Sequence, residues 1–176
     1  MGVDVAAAVD TDLAELADVA ARTFPLACPP GVAPENVAAF IDEYLSADRF
    51  RGYLADPDRT VLVARDEGRI LGYVMLIRGV PEDDDVQRAV TLRPAVEVST
   101  MYVLPDSHGA GASAALMTAT VRAARDSGAR SVWLGVNQHN RRAQRFYAKH
   151  GFAVAGTKTF RLGAAVENDY VMVRPL

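Results

Sequence analysis

Cysteine is nearly absent from this chain, which has one cysteine in 176 residues. A single thiol excludes a framework of intrachain disulfides and is typical of a reducing compartment. That residue, Cys28, lies between Ala27 and two prolines. We therefore interpret it as a structural residue rather than a nucleophile.

Long apolar runs are missing as well. No stretch approaches the roughly 20 apolar residues of a membrane span, and the first residues lack the basic-then-apolar order of a signal peptide. Position 6 is Ala rather than Ser or Thr, which argues against myristoylation. The sequence predicts a cytoplasmic protein with no membrane partner.

Positive charge is not concentrated anywhere. The formal net charge is −3, and no segment is rich in Lys and Arg or interleaves them with aromatic residues. We therefore expect no nucleic-acid partner. The densest charged run is Glu82–Asp85, for which two interpretations stand: a solvated acidic loop, or a surface that steers a polycation toward the site.

The remaining composition suits one domain over residues 1–176, because half of the residues are hydrophobic and can form a substantial core. The predicted fold class is α/β with a mixed α+β order, in which helices flank one twisted mixed sheet of about seven strands. Periodicity and turn residues predict helices over 12–23, 34–45, 47–54, 113–127 and 140–149, strands over 3–9, 60–64, 70–77, 96–103, 131–136, 152–160 and 169–174, and a loop over 80–92.

A glycine-rich turn between a strand and a helix is the most informative segment. In residues 101–113 an apolar strand ends at Pro105, and Gly109 and Gly111 precede an alanine-rich helix. Two glycines let a backbone approach an anion closely, and the first amides of a helix bind phosphate. The segment matches neither GxGxxG nor a P-loop. On its own it fits a phosphate cradle or a turn that needs glycine only for its geometry.

A second segment follows about thirty residues later. It comprises Trp133-Leu-Gly-Val136 and then Asn140-Arg-Arg-Ala-Gln-Arg-Phe-Tyr147. Together the two segments resemble the cofactor motifs of the GNAT N-acetyltransferases, in the order and spacing of that family. His108 stands where that family usually has a basic residue or Gln, and Ser113 stands where Gly or Ala is usual. Neither departure removes the backbone cradle.

The C-terminal half resembles one branch of that family, the PaiA-like acetyltransferases associated with polyamines. The similarity rests on Phe146-Tyr-x-Lys, Gly151-Phe, Gly156-Thr, Phe160-x-Leu-Gly163 and Asp169-Tyr-Val-Met172. The N-terminal half agrees more loosely, through Thr23-Phe24, Pro34-Glu-Asn36 and Gly72-Tyr73.

The resemblance implies a GNAT sheet that is splayed between its fourth and fifth strands, with acetyl-CoA as the co-substrate in the gap. Backbone groups at the splay would pair with the pantetheine arm and polarise the thioester, and backbone amides of the turn would hold the pyrophosphate. The first group is Met101, Tyr102 and Val103, and the second is His108, Gly109, Ala110, Gly111, Ala112 and Ser113.

Two residues of the predicted helix 140–149 have implied roles at the cofactor. Tyr147 would give its phenolic proton to the departing thiolate of coenzyme A. Asn140 lies seven residues earlier and so on the same helical face, near the cofactor, and it is also a good helix N-cap. For Tyr147 the alternative is an aromatic residue packed on the sheet, although Phe146 already suits that role.

A carboxylate near the thioester is expected, because an alkylammonium must lose a proton before it attacks. Glu97 is the best candidate: its even offset from Met101 and Val103 predicts that the three share one face of the strand. The alternative is an exposed strand end. Asp169 and Glu167 are weaker candidates for binding the amine. No metal is expected.

The leading hypothesis is direct transfer, without a covalent enzyme intermediate, of acetyl from acetyl-CoA to a primary amine of a small cationic acceptor such as a polyamine. The alternatives are another acceptor (an aminoglycoside, an amino acid or a protein amine), or a non-catalytic module that binds acyl-CoA. The acceptor lobe is expected in residues 24–55 and 80–92, and a homodimer is left open.

Overall fold

The computed structural model describes residues 2–176, except for the side chains of 108–110. It has seven strands and six helices, with short 3-10 turns at Asp10–Asp12 and Pro105–Ala110. In chain order they are β1 (Asp4–Ala7), α1 (Leu13–Ala27), α2 (Pro34–Tyr44), α3 (Ala47–Ala55), β2 (Arg59–Asp66), β3 (Arg69–Arg78), α4 (Asp84–Ala89), β4 (Ala95–Val103), α5 (Ala112–Asp126), β5 (Ser131–Asn137), α6 (Arg141–Lys149), β6 (Ala153–Leu162) and β7 (Ala165–Pro175).

All seven strands form one mixed sheet in the order β1-β2-β3-β4-β5-β7-β6. Only the central β4 and β5 run parallel to each other; the other neighbours are antiparallel. The β2–β3 hairpin turns through Glu67 and Gly68, whose φ angles of 52° and 77° are both left-handed, as a tight two-residue hairpin requires. The predicted mixed sheet of about seven strands is confirmed.

Helices cover both faces of the sheet. On one face α5 packs over β1 to β5, where buried residues such as Val74, Leu116 and Val132 form one core cluster. On the other face α1 and α3 cover β2 and β3, with Leu16, Phe50 and Tyr73 in a second cluster. Because adjacent residues of β3 point to opposite faces, its almost continuous apolar run supplies both cores.

The predicted C-terminal end of the first helix is wrong. The first helix was expected to end at 23, but α1 continues through Pro25 to Ala27. Proline lacks a backbone N–H and usually ends a helix, yet one in the last turn removes little helical bonding. The extension matters because it carries Ala27 and Cys28 to the cleft described below.

The predicted loop over 80–92 contains a helix, α4, at Asp84–Ala89. The acidic run begins this helix: the Asp83 carboxylate accepts hydrogen bonds from the backbone N–H groups of Asp85 and Val86, at 2.9 and 3.2 Å. Acidic groups are favourable in a first helical turn. Helix capping therefore explains part of the acidic run 82–85, for which the sequence allowed either a solvated loop or a surface that steers a polycation.

Candidate active site

The parallel strands β4 and β5 pair at only three positions, ending with Glu97 opposite Trp133. Beyond this pair the two strands are no longer paired with each other, although β4 continues to Val103 and β5 to Asn137. A cleft of about 710 Å³ opens at this divergence, and residues from both strands line it. The predicted splay between the fourth and fifth strands is therefore present, with Glu97 at its closed end.

A β-bulge in β4 changes which of its side chains lie on the same face of the sheet. Leu76 pairs with Val98 and Met75 with Thr100, so Ser99 is the extra residue. The expectation that Glu97 shares a face with Met101 and Val103 is wrong, because the bulge shifts the alternation by one. Met101 and Val103 lie with Val96 and Val98 in the α5-side core, and Glu97 instead shares its face with Thr100 and Tyr102.

The glycine turn borders the cleft at the beginning of α5. Gly111 adopts φ 81°, a left-handed conformation that favours glycine, and it lies just before the first residue of the helix. No described atom lies within 4 Å of a Cβ built at this position, and both Gly111 and Ser113 line the cleft. Ala112 is buried in the core. The predicted phosphate contacts of His108, Gly109 and Ala110 fall on residues whose side chains lie outside the described part of the structure, and they stay a prediction.

Helix α6 brings Tyr147 and Asn140 to the same cleft. The Asn140 side chain caps the helix by accepting a hydrogen bond from the Ala143 N–H at 3.1 Å, so the capping interpretation is confirmed. Tyr147 packs edge-on to Phe146 and Phe152 with ring centroids 5.4 and 5.7 Å apart. Burial raises the pKa of Tyr147 to about 12, which keeps the phenol protonated at neutral pH.

Glu97 is half-buried at the closed end of the splay. Burial raises the pKa of its carboxyl, and the positive charges of Lys158 and Arg59 oppose that rise. A carboxyl with a raised pKa is a stronger proton acceptor than an ordinary surface glutamate. It therefore combines the location and the basicity that deprotonation of an amine requires.

Aromatic rings in contact with one another form one wall of the cleft. Phe24 stacks on Phe40 with centroids 4.4 Å apart, and Phe40 contacts Phe160 at 5.6 Å. Tyr102 meets the edge of Phe24 at 6.5 Å. Since aromatic faces attract alkylammonium groups, this wall suits a cation with a hydrocarbon chain.

Carboxylates complete that wall. Buried Asp169 lies 3.7 Å from the Lys158 ammonium, and Glu167 accepts a hydrogen bond from the Asn137 amide at 3.3 Å. Burial raises the pKa of Asp169, and Lys158 acts in the opposite direction. The Lys158 and Asp169 side chains lie directly over Gly135 of β5. A Cβ added at Gly135 would lie 2.6 Å from Lys158 Cε, so the pair needs glycine at this position. The carboxyl groups of Glu97, Glu167 and Asp169 thus line the same cleft as the Lys158 ammonium.

Cys28, His150 and Trp133 are explained by their structural surroundings. Burial raises the pKa of the Cys28 thiol, whose Sγ donates to the Phe24 carbonyl at 3.4 Å, so the residue is poorly suited to nucleophilic attack. Burial also lowers the pKa of His150, and the charges of Lys149 and Arg174 add to the effect. Trp133 is fully buried.

Sequence reasoning missed several cleft residues and misplaced part of the acceptor lobe. Lys158 and Thr100 were not singled out; the available signal for the first was that it is the one charged residue of the predicted strand 152–160. The cleft takes residues from 23–29 and from 158–169, whereas none of the described residues in 80–92 lines it.

Two negative findings concern the described residues. The described side chains, those of residues 2–107 and 111–176, include no group of three or more His, Cys, Asp or Glu residues that could bind a metal ion. Within the same range no helix is both long enough and apolar enough to cross a bilayer.

Comparison with known proteins identifies the family. Residues 15–152 match the Acetyltransferase (GNAT) family. The chain belongs to the GNAT acetyltransferases. GNAT membership makes it an acetyl-CoA-dependent N-acetyltransferase and leaves the acceptor open.

Similar proteins include an uncharacterized N-acetyltransferase of Mycobacterium tuberculosis, 60% identical over 166 residues that cover 94% of this chain and 99% of the relative. Among solved structures, the PaiA N-acetyltransferase of Thermoplasma acidophilum in complex with coenzyme A has a TM-score of 0.78 at 18% identity and full coverage of both chains. The ribosomal-protein-S18-alanine N-acetyltransferase of Escherichia coli has a TM-score of 0.68 at 17% identity, covering 98% of this GNAT chain and 93% of its own. At these identities the solved structures share the fold, and PaiA is a distant structural neighbour.

Proposed function

We propose that residues 1–176 act as one domain that transfers acetyl directly from acetyl-CoA to a primary amine of a small cationic acceptor such as a polyamine. The observation that carries the proposal is the acceptor wall, where aromatic rings meet the carboxyl groups of Glu97, Glu167 and Asp169. The resemblance to the PaiA-like branch supports the same acceptor class.

The residues present fit acetyl-CoA at the glycine turn and the splay. The open space above Gly111 and the first amides of α5 suit a pyrophosphate. The edge of β4 around Met101 and Tyr102, which no longer pairs with β5, suits an extended pantetheine chain. Bound there, acetyl-CoA would supply an activated acyl carbon. In the proposed site Val103 and Asn140 complete the cofactor contacts, together with the turn at 108–113.

Two side chains of the protein, Glu97 and Tyr147, carry out the proton transfers. Glu97 accepts the proton that leaves the acceptor nitrogen as the C–N bond forms, and Tyr147 donates one to the sulfur as the C–S bond breaks. Burial keeps Tyr147 protonated until pH approaches about 12, so this donor is available across the working range. No side chain forms a covalent intermediate in this route.

Glu97→Gln should lower turnover roughly 100-fold at neutral pH, where most of an acceptor's amines are protonated, because it removes the proton acceptor and keeps the shape. The wild-type rate should climb with pH to a plateau as the carboxyl ionises. A pH–rate profile of the variant that matches the wild type would show that Glu97 is only a charged residue at the strand end. Asp169 would then be the next candidate for the base.

The same variant should also change stability in a pH-dependent way. A raised carboxyl pKa means that the folded protein holds this proton more tightly than the unfolded chain, so ionising Glu97 costs folding free energy. The melting temperature of Glu97→Gln relative to wild type should therefore increase between about pH 4 and pH 7. Thermal melts across that range measure it, and they separate lost chemistry from a damaged fold.

Acceptor recognition can be tested at Glu167. Glu167→Gln should raise the KM for spermidine roughly three- to tenfold, because an ionic contact in a partly solvated cleft contributes about 1 kcal/mol. The KM for acetyl-CoA should not change. Glu43→Gln is the matched control, since Glu43 is exposed on α2 and does not line the cleft. Equal effects of the two variants on spermidine would remove Glu167 from the acceptor site.

A panel of amines tests the acceptor class itself. Specificity constants for spermidine, an aminoglycoside, amino acids and a peptide with an N-terminal alanine should be highest for spermidine. A clear preference for the peptide or the aminoglycoside would replace the polyamine, and coenzyme A binding without turnover of any amine would leave a non-catalytic module.

A further inference from the structure

Three buried side-chain hydroxyls have no hydrogen-bond partner among the described residues: those of Tyr73, Thr100 and Thr120. Most buried polar groups in proteins are hydrogen-bonded, so each such group needs an explanation. Thr120 lies on α5, fully buried and away from the cleft lining. Thr100 lines the cleft, and Tyr73 lies fully buried on the neighbouring strand.

The bulge at Ser99 aligns Thr100 with Glu97. Their partners on β3 are Met75 and Ile77, which are two residues apart, so the two side chains lie on one face with Cα atoms about 7 Å apart. Without the bulge, an offset of three residues would place them on opposite faces. Tyr73 lies on the same face of β3, diagonal to Thr100.

The surroundings of this group are largely apolar. Phe50 packs edge-on to Tyr73 at 5.6 Å, and Tyr102 does so at 6.2 Å. Burial raises the pKa of the Tyr73 phenol, and the nearby Thr100 hydroxyl acts in the opposite direction, although no hydrogen bond of ordinary geometry joins them. Both hydroxyls therefore remain able to donate.

Charged groups face Glu97 from several elements. Arg59 on β2 and Lys158 on β6 favour the ionised carboxylate, while Asp169 on β7 interacts with Lys158. None of these supplies a short hydrogen bond to Glu97 among the described residues. A buried carboxylate that accepts a proton is oriented most effectively by hydrogen-bond donors on its own face.

We propose that Thr100 and Tyr73 are positioning residues whose hydroxyls, together with the Glu97 carboxylate, hold one water molecule that relays the acceptor's proton to Glu97. The inference rests on the proposed function, in which Glu97 is the final proton acceptor. In the relay the amine nitrogen gives its proton to the water, and the water gives one of its own to the carboxylate. The water is regenerated and no other reactant is consumed.

The test uses the free protein and needs no acceptor. The pKa of Glu97 is measured by carbon-13 NMR of its carboxyl carbon, with the signal assigned by its loss in Glu97→Gln. Thr100→Val and Tyr73→Phe should each raise the pKa of Glu97 by about one unit, because the ionised form loses hydrogen-bond support. Thr100→Ser keeps the hydroxyl and should titrate like the wild type.

Thr120→Val is the matched control, because it also removes a buried, unpartnered threonine hydroxyl, but on α5. It should leave the titration of Glu97 and the turnover number unchanged. A Glu97 titration identical in wild type, Thr100→Val and Tyr73→Phe would overturn the inference. A purely structural role predicts that result, since deleting an unpartnered buried hydroxyl is neutral or stabilising.

Turnover gives the second measurement. With spermidine as acceptor, Thr100→Val should lower kcat about tenfold near neutral pH without changing the KM for acetyl-CoA. If the pKa of Glu97 shifts in Thr100→Val and Tyr73→Phe but Glu97→Gln turns over like the wild type, the hydroxyls do support the carboxylate and Glu97 is not the base. Unshifted titrations in an active enzyme would reject the cluster alone, so the two failures are distinguishable.

Discussion

Replacing Tyr147 with phenylalanine should lower the turnover number of acetyl transfer roughly 100-fold or more and leave the affinity for acetyl-CoA largely unchanged. The change removes one hydroxyl from a ring that keeps its edge contacts with Phe146 and Phe152. The loss should therefore fall on kcat, measured by coenzyme A release, while calorimetric binding of acetyl-CoA is retained.

The raised pKa of Tyr147 does not prevent this role. Burial disfavours the phenolate, but it also disfavours a thiolate that departs into the same cleft, so proton transfer between them remains feasible. Tyr170→Phe is the matched control, because Tyr170 is partly buried against the same core and does not line the cleft. Full activity in Tyr147→Phe would assign the proton to a water molecule.

The second large effect is expected at Gly111. Gly111→Asn should weaken acetyl-CoA binding roughly 100-fold or more, equivalent to about 2.7 kcal/mol, because its side chain would fill the open space proposed for the pyrophosphate. Asparagine tolerates left-handed backbone better than most residues, so the turn itself should be retained. Gly111→Val adds backbone strain and should abolish binding.

Gly128 provides a close control for that experiment. It has φ 83°, against 81° at Gly111, and no described atom lies within 4 Å of a Cβ built there, but it follows the far end of α5 and does not line the cleft. Gly128→Asn should bind acetyl-CoA like the wild type. Unchanged affinity in Gly111→Asn would overturn the assignment of the glycine turn.

Most of the fold could be predicted because its signals are local. Turn glycines, caps and apolar periodicity mark the strands, the central helices and the glycine turn before α5. The Glu67-Gly68 hairpin and the Asn140 cap depend only on neighbouring residues, and both are present. Helix α4 was missed because a short helix leaves little periodicity, and its capping aspartates resemble a charged loop.

The arrangement of the site could be predicted only in part, because it depends on pairing between distant strands. The bulge at Ser99 exists only through the register of β4 against β3, and it reverses the facing of Glu97 relative to Met101. Likewise, the Lys158–Asp169 pair depends on the register of β6 and β7 and on the space at Gly135. Counting offsets along one strand cannot detect either feature.

Fold similarity alone does not decide the acceptor. Two solved structures that share this fold bear the names PaiA N-acetyltransferase and ribosomal-protein-S18-alanine N-acetyltransferase, at 18% and 17% identity. The choice between a small amine and a protein amine therefore rests on the side chains of the cleft. Here those are the aromatic wall and its carboxylates.

The most direct measurement of the central claim is the mass of spermidine after incubation with acetyl-CoA and the wild-type enzyme, with Tyr147→Phe run in parallel. We predict a product heavier by one acetyl group, formed in step with coenzyme A release and roughly 100-fold more slowly by the variant. Unmodified spermidine in the presence of an enzyme that acetylates a different amine would contradict the claim.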